Sequence, residues 1–132
     1  MSKKLVNPAQ LYDASPLGMS QAVVDLDSSL VFVSGQVAWD LQHQVADNSM
    51  AGQFEAAMNN LIIALSAAGT SIEGVLHLRI YVRGEVEDHM EAIAPVMANF
   101  LANSRPAVTG IGVASLASKA TLVEVEAIAK VL

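Results

Sequence analysis

The sequence predicts a single α+β domain, residues 1–132, in which two helices pack on one face of a mixed β-sheet. A chain of 132 residues fits one domain with one core, and no repeat, linker or low-complexity tract divides it. Six segments are predicted strands, two of them with clear period-two alternation, and apolar residues recur with helical spacing in two others. Their order, β-β-β-α-β-α-β-β, is typical of an α+β domain.

The first three strand candidates precede the first helix. Residues 4–7 are a short edge-strand candidate, and two β-rich runs follow at residues 21–26 and 30–36. The turn-forming residues 27–29 separate these runs, which predicts a β-hairpin. Alternation along the second run directs Leu30, Phe32 and Ser34 to one face and Val31, Val33 and Gly35 to the other.

The first helix is predicted over residues 48–68. Asn48 or Ser49 can cap its start, and Gly69 stands where a left-handed residue ends a helix. The apolar residues at helical spacing are Met50, Phe54, Ala57, Leu61, Leu65 and Ala68.

The second half of the chain repeats the alternation of strand and helix. A strand is predicted over residues 72–82, with Leu76, Leu78, Ile80 and Val82 on one face and His77, Arg79 and Tyr81 on the other. Residues 84–88 are predicted to turn the chain.

The second helix candidate spans residues 87–101. It contains Pro95, which predicts a kink or a later helix start, because an interior proline loses a hydrogen bond and clashes with the preceding turn. Residues 107–113 and 122–131 are the last two strands.

The composition predicts self-association. The chain is 53% hydrophobic, with a mean hydropathy of +0.44, and two helices can cover only one face of the sheet. No segment approaches the roughly 18 uninterrupted apolar residues of a spanning helix, so no membrane contact is expected. The uncovered face is therefore predicted to meet another copy of the chain.

Charge and residue types exclude several functions. The net charge of −6, with seven scattered Lys and Arg, disfavours nucleic acid as a partner. The three histidines are scattered and there is no cysteine, so no metal site is predicted; no phosphate-binding glycine loop points to a cofactor. The start, Met-Ser-Lys-Lys, lacks the apolar region of a signal peptide, and a cytoplasmic protein is expected.

Glu124 and Glu126 are the candidate acid–base residues. They are two residues apart on a predicted strand and share a face, among apolar neighbours. A carboxyl group in a partly apolar cleft has a raised pKa and suits proton transfer. The alternatives are a charge at a strand end or an intersubunit salt bridge, and for Glu126 these are favoured.

Two glycine-containing segments are candidate cleft walls. Ser34, Gly35 and Gln36 end a strand, where a glycine lets a ligand approach the backbone, although a β-bulge explains Gly35 equally well. Thr109 offers a hydroxyl and an amide, and Gly110 gives room; a strand bend is the alternative.

Several of these segments resemble the YjgF/YER057c/UK114 family, also called the Rid family. The resemblance runs from about Ser20 to Ala129. Its most specific parts are Ser34-Gly35-Gln36, Asn60 with Ala67-Ala68-Gly69, Arg105-Pro106-Ala107, and the Glu-x-Glu-Ala motif that begins at Glu124.

The resemblance implies a fold, an assembly and an activity. It implies a chorismate-mutase-like fold of the bacillus type, with three subunits packing their sheets into a central barrel and small-molecule clefts between neighbours. The best-described family reaction is hydrolysis of enamines and imines to keto acids and ammonia. By resemblance, Glu124 orients the water, and the backbone of residues 34–36 lines the cleft.

The sequence departs from the family pattern at three positions. Deaminating members place a carboxylate-binding arginine directly after the Pro-Ala pair, where this chain has Val108. They also carry a tyrosine before Ser-Gln-Ala, where this chain has Met19, and an asparagine that aligns loosely with Ile93. The cleft, with Met19 and Val108, should therefore favour a less charged ligand. Whether Arg79 or Arg105 replaces the arginine stays open.

Three functional hypotheses follow. The first is an enamine or imine hydrolase whose ligand needs no carboxylate contact, with Glu124 as the catalytic residue. The second is a ligand-binding or regulatory trimer without turnover, which the absent arginine favours over the usual deaminase. The third, an endoribonuclease, is disfavoured by the acidic surface.

Overall fold

The structure, a computed structural model, describes residues 2–132 and contains six strands and two helices in the predicted order. Two short 3-10 helices, Ser15–Leu17 and Ile72–Gly74, lie between them. The elements are β1 (Lys3–Val6), β2 (Ala22–Asp25), β3 (Leu30–Gln36), α1 (Met50–Ala67), β4 (Val75–Arg83), α2 (Val86–Leu101), β5 (Ala107–Val113) and β6 (Val123–Lys130).

All six strands form one mixed sheet with the order β1-β2-β3-β6-β4-β5. Every neighbouring pair is antiparallel except β4 and β5, which are parallel and are connected through α2. β6, the last strand in the chain, therefore lies between β3 and β4. This arrangement brings the end of the chain into the middle of the sheet.

Helix α1 packs on β3 and β6 and supplies much of the core. Ser49 caps it, with its hydroxyl accepting a hydrogen bond from the Gly52 amide at 3.1 Å. Gly69, with φ of +87°, follows the helix in the left-handed conformation that glycine adopts without strain. The predicted cap and stop are thus confirmed. Its fully buried apolar residues are Phe54, Ala57, Met58, Leu61, Ala64 and Leu65.

The structure corrects the prediction for the strand at residues 72–82. Residues 72–74 form a 3-10 helix, and the strand begins at Val75. A register shift between Val75 and His77 turns the Leu76 side chain away from the core, and this side chain is exposed to solvent. Such a bulge changes the face of every residue before it, so Leu76 does not share the buried face of Leu78.

The second helix begins at Val86, earlier than predicted. Of the turn predicted at residues 84–88, only residues 84 and 85 precede the helix. Pro95 lies inside the helix and does not delay its start. Glu87 and Asp88 in the first turn offset the positive end of the helix dipole. No helix among residues 2–132 combines the length and the apolar character needed to cross a bilayer.

The sheet face that the helices leave uncovered, called the open face, mixes apolar and charged side chains. Phe32 is 46% exposed there, while Val31 and Val33 are buried beneath the helices, as the alternation predicted. Arg79 on β4 pairs with Glu126 on β6 at 3.5 Å, and the Tyr81 hydroxyl donates a hydrogen bond to the same carboxylate. Glu126 is therefore part of an ion pair within the chain.

Candidate functional site

A pocket of about 430 Å³ opens where β3 reaches the edge of the open face. It is called the Glu124 pocket here, and its volume lies within the range typical of small-molecule sites. Its lining residues are Tyr12, Leu17, Met19, Ser34, Gly35, Val37, Trp39, Ala117 and Glu124. The pocket thus brings together four of the sequence-predicted site residues, namely Met19, Ser34, Gly35 and Glu124.

Among the described residues 2–132, Glu124 is the only charged residue that lines this pocket. It lies on β6 opposite Tyr81 and is half-buried. The ion pair described above joins Arg79 to Glu126, and none of the described residues 2–132 forms an ion pair or a side-chain hydrogen bond with the Glu124 carboxylate. Burial, followed by the charge of Glu126, raises the pKa of Glu124. A carboxyl group of this kind can hold or release a proton nearer neutral pH than usual.

Gly35 provides the space that the Glu124 carboxylate occupies. The register between β3 and β6 shifts at residues 34–35, and a β-carbon added to Gly35 would lie 2.6 Å from the carboxyl carbon of Glu124. That separation is far shorter than a van der Waals contact. The close approach therefore favours glycine here, because an added β-carbon would push the Glu124 carboxylate out of its present place.

Replacing Gly35 by alanine is expected to displace the Glu124 side chain from the pocket. Any activity or ligand binding that uses this carboxylate should fall at least tenfold, because a misplaced catalytic group loses its alignment. The pair of variants Gly35→Ala and Gly18→Ala separates this effect from general strain. Gly18 has a positive φ but no atom within 4 Å of an added β-carbon, so its replacement should affect only stability. Equal activity loss in both variants would contradict the assignment.

Ser34 and Gln36 hold the pocket floor together. The Ser34 hydroxyl donates to the Ser20 carbonyl at 2.6 Å. Gln36 is 2% exposed and points into the core, where its amide donates to the Gln21 side chain at 2.9 Å. Gln21 in turn donates to the Tyr12 carbonyl at 2.9 Å. The Gln36 side chain therefore supports the pocket from behind and does not line it.

An aromatic wall, formed by Tyr12, Trp39 and His43, closes one side of the pocket. The Tyr12 ring lies 5.4 Å from that of Trp39 and 4.9 Å from that of His43 in edge-to-face and tilted arrangements. Asn60 on α1 holds the Trp39 segment by donating to the Val37 carbonyl at 2.8 Å. Sequence reasoning missed Tyr12, because it lies in a loop without periodicity and no spacing connects it to Trp39.

The predicted residues on β5 lie elsewhere in the chain. Val108 and Gly110 face the helices and line an apolar groove of about 260 Å³ beneath α2, called the Val108 groove, together with Ile80, Val82, Val86, Met90, Ile93 and Met97. Thr109 faces the open side, 3.3 Å from the His77 ring. Because β4 separates β5 from β6, one chain alone does not bring these residues to Glu124.

Two further features were tested as alternative sites. A depression of about 230 Å³ on the open face is smaller than the Glu124 pocket, and its charged residues Arg79 and Glu126 already neutralise each other. Among residues 2–132, no three His, Cys, Asp or Glu side chains come together in a way that could hold a metal ion.

The fold and the pocket define a small α+β domain with a half-buried acid at the edge of its open sheet face. The model of the family named Endoribonuclease L-PSP matches residues 14–131. The chain therefore belongs to this family, which is also called the YjgF/YER057c/UK114 or Rid family. The resemblance seen in the sequence is confirmed.

Solved structures agree with this assignment. A Mycobacterium tuberculosis member of the YjgF/YER057c/UK114 family is 28% identical, with a TM-score of 0.82 over 98% of this chain and 100% of that one. A Thermotoga maritima protein is 27% identical, with a TM-score of 0.85 over 96% of each chain. RidA from a Psychrobacter species, 23% identical, shares the fold with a TM-score of 0.84 over 96% of this chain and 98% of that one. No curated protein matches the chain.

Proposed function

We propose that this protein is a homotrimeric hydrolase of small imines, with Glu124 as its catalytic residue. The observation that carries the proposal is the half-buried, unpaired Glu124 carboxyl facing a pocket of about 430 Å³, with burial raising its pKa. An imine is reactive by itself, so a positioned water and one acid–base group are sufficient machinery.

The chemistry needs only water as a co-reactant. Glu124 accepts a proton from water as the oxygen adds to the imine carbon, which gives a carbinolamine. Glu124 then returns the proton to the nitrogen, and the carbon–nitrogen bond breaks. As the carbonyl forms, the hydroxyl proton passes through Glu124 to the departing ammonia, which leaves as ammonium. Overall, one iminium ion and one water give one carbonyl compound and one ammonium ion. A carboxyl with a raised pKa serves both steps, because acid–base catalysis works best near the operating pH.

The proposed trimer would complete the site from two chains. Exposed apolar residues on the open face and in the Val108 groove, among them Phe32 and Val108, favour burial against other copies. In the assembly that the family resemblance implies, clefts lie between neighbours, so the Val108 groove of one subunit would face the Glu124 pocket of the next. The site would then be mainly apolar around one carboxylate.

A ligand-binding trimer without turnover is the second candidate. The observation that favours it is Val108 itself, which is 39% exposed and stands where the family resemblance places a carboxylate-binding arginine. A valine cannot bind a carboxylate, so the usual keto-acid precursors would not be held in place. Binding of another small molecule would need no arginine.

Endoribonuclease activity, which the family description names, is the least favoured candidate. The net charge is −6, and the described residues that line the Glu124 pocket contain no lysine or arginine. Binding to a phosphate backbone needs several cations that release counterions. A steep salt dependence of RNA binding would revive this candidate.

Comparing two imines, with and without a carboxylate, tests the proposed function. Ammonia release is measured from 2-aminoacrylate, generated in situ from serine, and from phenylmethanimine, generated from benzylamine by a flavin-dependent amine oxidase. The wild-type protein should accelerate only hydrolysis of phenylmethanimine. Val108→Arg should raise the rate on 2-aminoacrylate by roughly ten- to hundredfold, since a charged hydrogen bond contributes about 1.5–3 kcal/mol.

The control for added charge is Ser115→Arg, at an exposed residue just beyond β5, which should leave both rates unchanged. Rapid hydrolysis of 2-aminoacrylate by the wild type would contradict the atypical site and make Arg79 and Arg105 the next residues to replace. If neither imine is hydrolysed by any variant, the non-catalytic candidate replaces the enzyme. Sedimentation of the same samples measures the predicted trimer mass.

A further inference from the structure

We infer that the Glu124 pocket selects a small organic cation that lacks a carboxylate group, held between the Glu124 carboxylate and the aromatic wall. The inference rests on the proposed function only for the location of the site, and it assigns the chemical class of the ligand.

Among residues 2–132, the Glu124 carboxylate has no side-chain partner. Glu126, two residues along the same strand, has Arg79 and the Tyr81 hydroxyl, whereas none of the described side chains pairs with or donates to Glu124. A half-buried carboxylate without a donor has lost hydration and gained no protein contact in return. A ligand that carries N–H donors and a positive charge supplies both missing interactions.

The arginines on β4 are already engaged by other groups. Arg79 pairs with Glu126 on the open face, and Arg83 donates to the carbonyls of Ser118 and Lys119 in the loop before β6. Lys119 itself is exposed to solvent. Within residues 2–132, no positive group neutralises the pocket, so its charge near Glu124 is negative.

Two residues of the aromatic wall lie beside the carboxylate. Tyr12 and Trp39 line the pocket beside Glu124, and their ring faces carry partial negative charge. Aromatic faces together with a carboxylate attract a delocalised or alkylated nitrogen cation and repel a carboxylate. A protonated imine has this character, as do amines and amidines, whereas an amino acid or keto acid places a carboxylate against Glu124.

Three planar molecules of almost identical shape and different charge test the inference: benzamidinium, benzamide and benzoate. Benzamidinium resembles protonated phenylmethanimine but does not hydrolyse. Binding is followed through the indole N–H resonance of Trp39, the only tryptophan in the chain, and by calorimetry on the assembled protein. Benzamidinium should bind at least tenfold more tightly than benzamide, and benzoate should not bind.

The variants locate the charge that makes the selection. Glu124→Gln should reduce benzamidinium binding at least tenfold while leaving benzamide binding within about twofold, which also shows that the pocket remains folded. Trp39→Leu should weaken both ligands. The control Glu55→Gln removes one negative charge at an exposed position on α1 that does not line the pocket, and it should preserve the preference for benzamidinium.

The outcomes separate this inference from the proposed function. Selective binding of benzamidinium without imine hydrolysis supports the cation site and removes the enzyme. If imines are hydrolysed but benzoate binds more tightly than benzamidinium, the cation site is overturned. Such a result indicates that a neighbouring subunit supplies a positive charge. Arg105→Gln should then abolish benzoate binding. Equal binding of all three molecules, or binding of none, also overturns the inference.

Discussion

Glu124→Gln is expected to lower the rate of phenylmethanimine hydrolysis by roughly 10²- to 10⁴-fold, the usual contribution of one general acid–base residue. Glutamine preserves the shape of the side chain and the space above Gly35, but it cannot accept a proton from water. Ammonia release after subtraction of the uncatalysed rate measures the loss. Glu126→Gln, which removes a neighbouring carboxylate that already pairs with Arg79, should lower the rate only a few-fold.

The pH dependence provides a second measure of the same residue. Three titratable groups face Glu124: Glu126 on the same strand, Tyr81 on β4 and Tyr12 in the aromatic wall. Burial and the Glu126 charge raise the pKa of Glu124, so the enzymatic rate should fall as the pH decreases through a value above the usual 4.3 or so of a glutamate. The Gln variant should lose this acid limb.

Stability distinguishes a catalytic role from a structural one. Because the pKa of Glu124 is raised in the folded protein, the folded state binds this proton more tightly than the unfolded state does. The corresponding contribution to stability is present at low pH and is lost as the pH rises through the folded-state pKa. Above that pH, Glu124→Gln should unfold at the same urea concentration as the wild type or at a higher one. Lower activity together with lower stability would indicate that Glu124 serves the fold instead.

The fold could be predicted because local periodicity decided most of it. The strand at residues 107–113 has the predicted bounds, and Ser49 and Gly69 mark the two ends of α1 as expected. The prediction that Leu76 shares a face with Leu78 was wrong, because a bulge changes the direction of a side chain and leaves no sign in the composition of the strand. The later helix start predicted from Pro95 was wrong, because tertiary packing of an amphipathic helix outweighs one lost hydrogen bond; the alternative, a kink at Pro95, stays a prediction.

The site was predictable where strand pairing or the family resemblance identified its residues, as for Glu124 and Met19. Gly35 and Glu124 lie next to each other because β3 pairs with β6, and the motif resemblance identified both. Tyr12 reaches the same pocket through a loop, which no periodic pattern reports. Val108 is not a neighbour of Glu124 in the sequence or in the folded chain, so only the proposed assembly would bring it to the site.

Gln53→Leu is expected to produce the largest loss of stability among single substitutions outside the apolar core. Gln53 on α1 is fully buried, and its amide nitrogen donates to the carbonyls of Asp47 at 3.0 Å and Ala120 at 2.8 Å. Its oxygen accepts from the Leu122 amide at 2.8 Å. Leucine has nearly the same volume but leaves three backbone groups without partners, which should lower the free energy of unfolding by about 2–4 kcal/mol.

The same substitution should also affect the pocket, because Gln53 binds the segment around Ala120 and Leu122, which borders the pocket. The segment after Ala120 leads directly into β6 and Glu124, and Ala117 of the same loop lines the pocket.

Urea unfolding at several protein concentrations measures the stability, with Asn59→Leu, an exposed position on the same helix, as a control expected to change it by less than about 0.5 kcal/mol. An unchanged urea midpoint for Gln53→Leu would mean that the loop finds other partners, and the pocket geometry would then not depend on this bridge. The alternative result is a large loss of stability in Gln53→Leu together with weaker benzamidinium binding than in the wild type, measured at urea concentrations where the variant is still folded. That result would show that the helix, the loop and the strand that carries Glu124 act as one unit. In that case the buried amide on α1 would be a positioning residue for Glu124, and not only a contributor to the core.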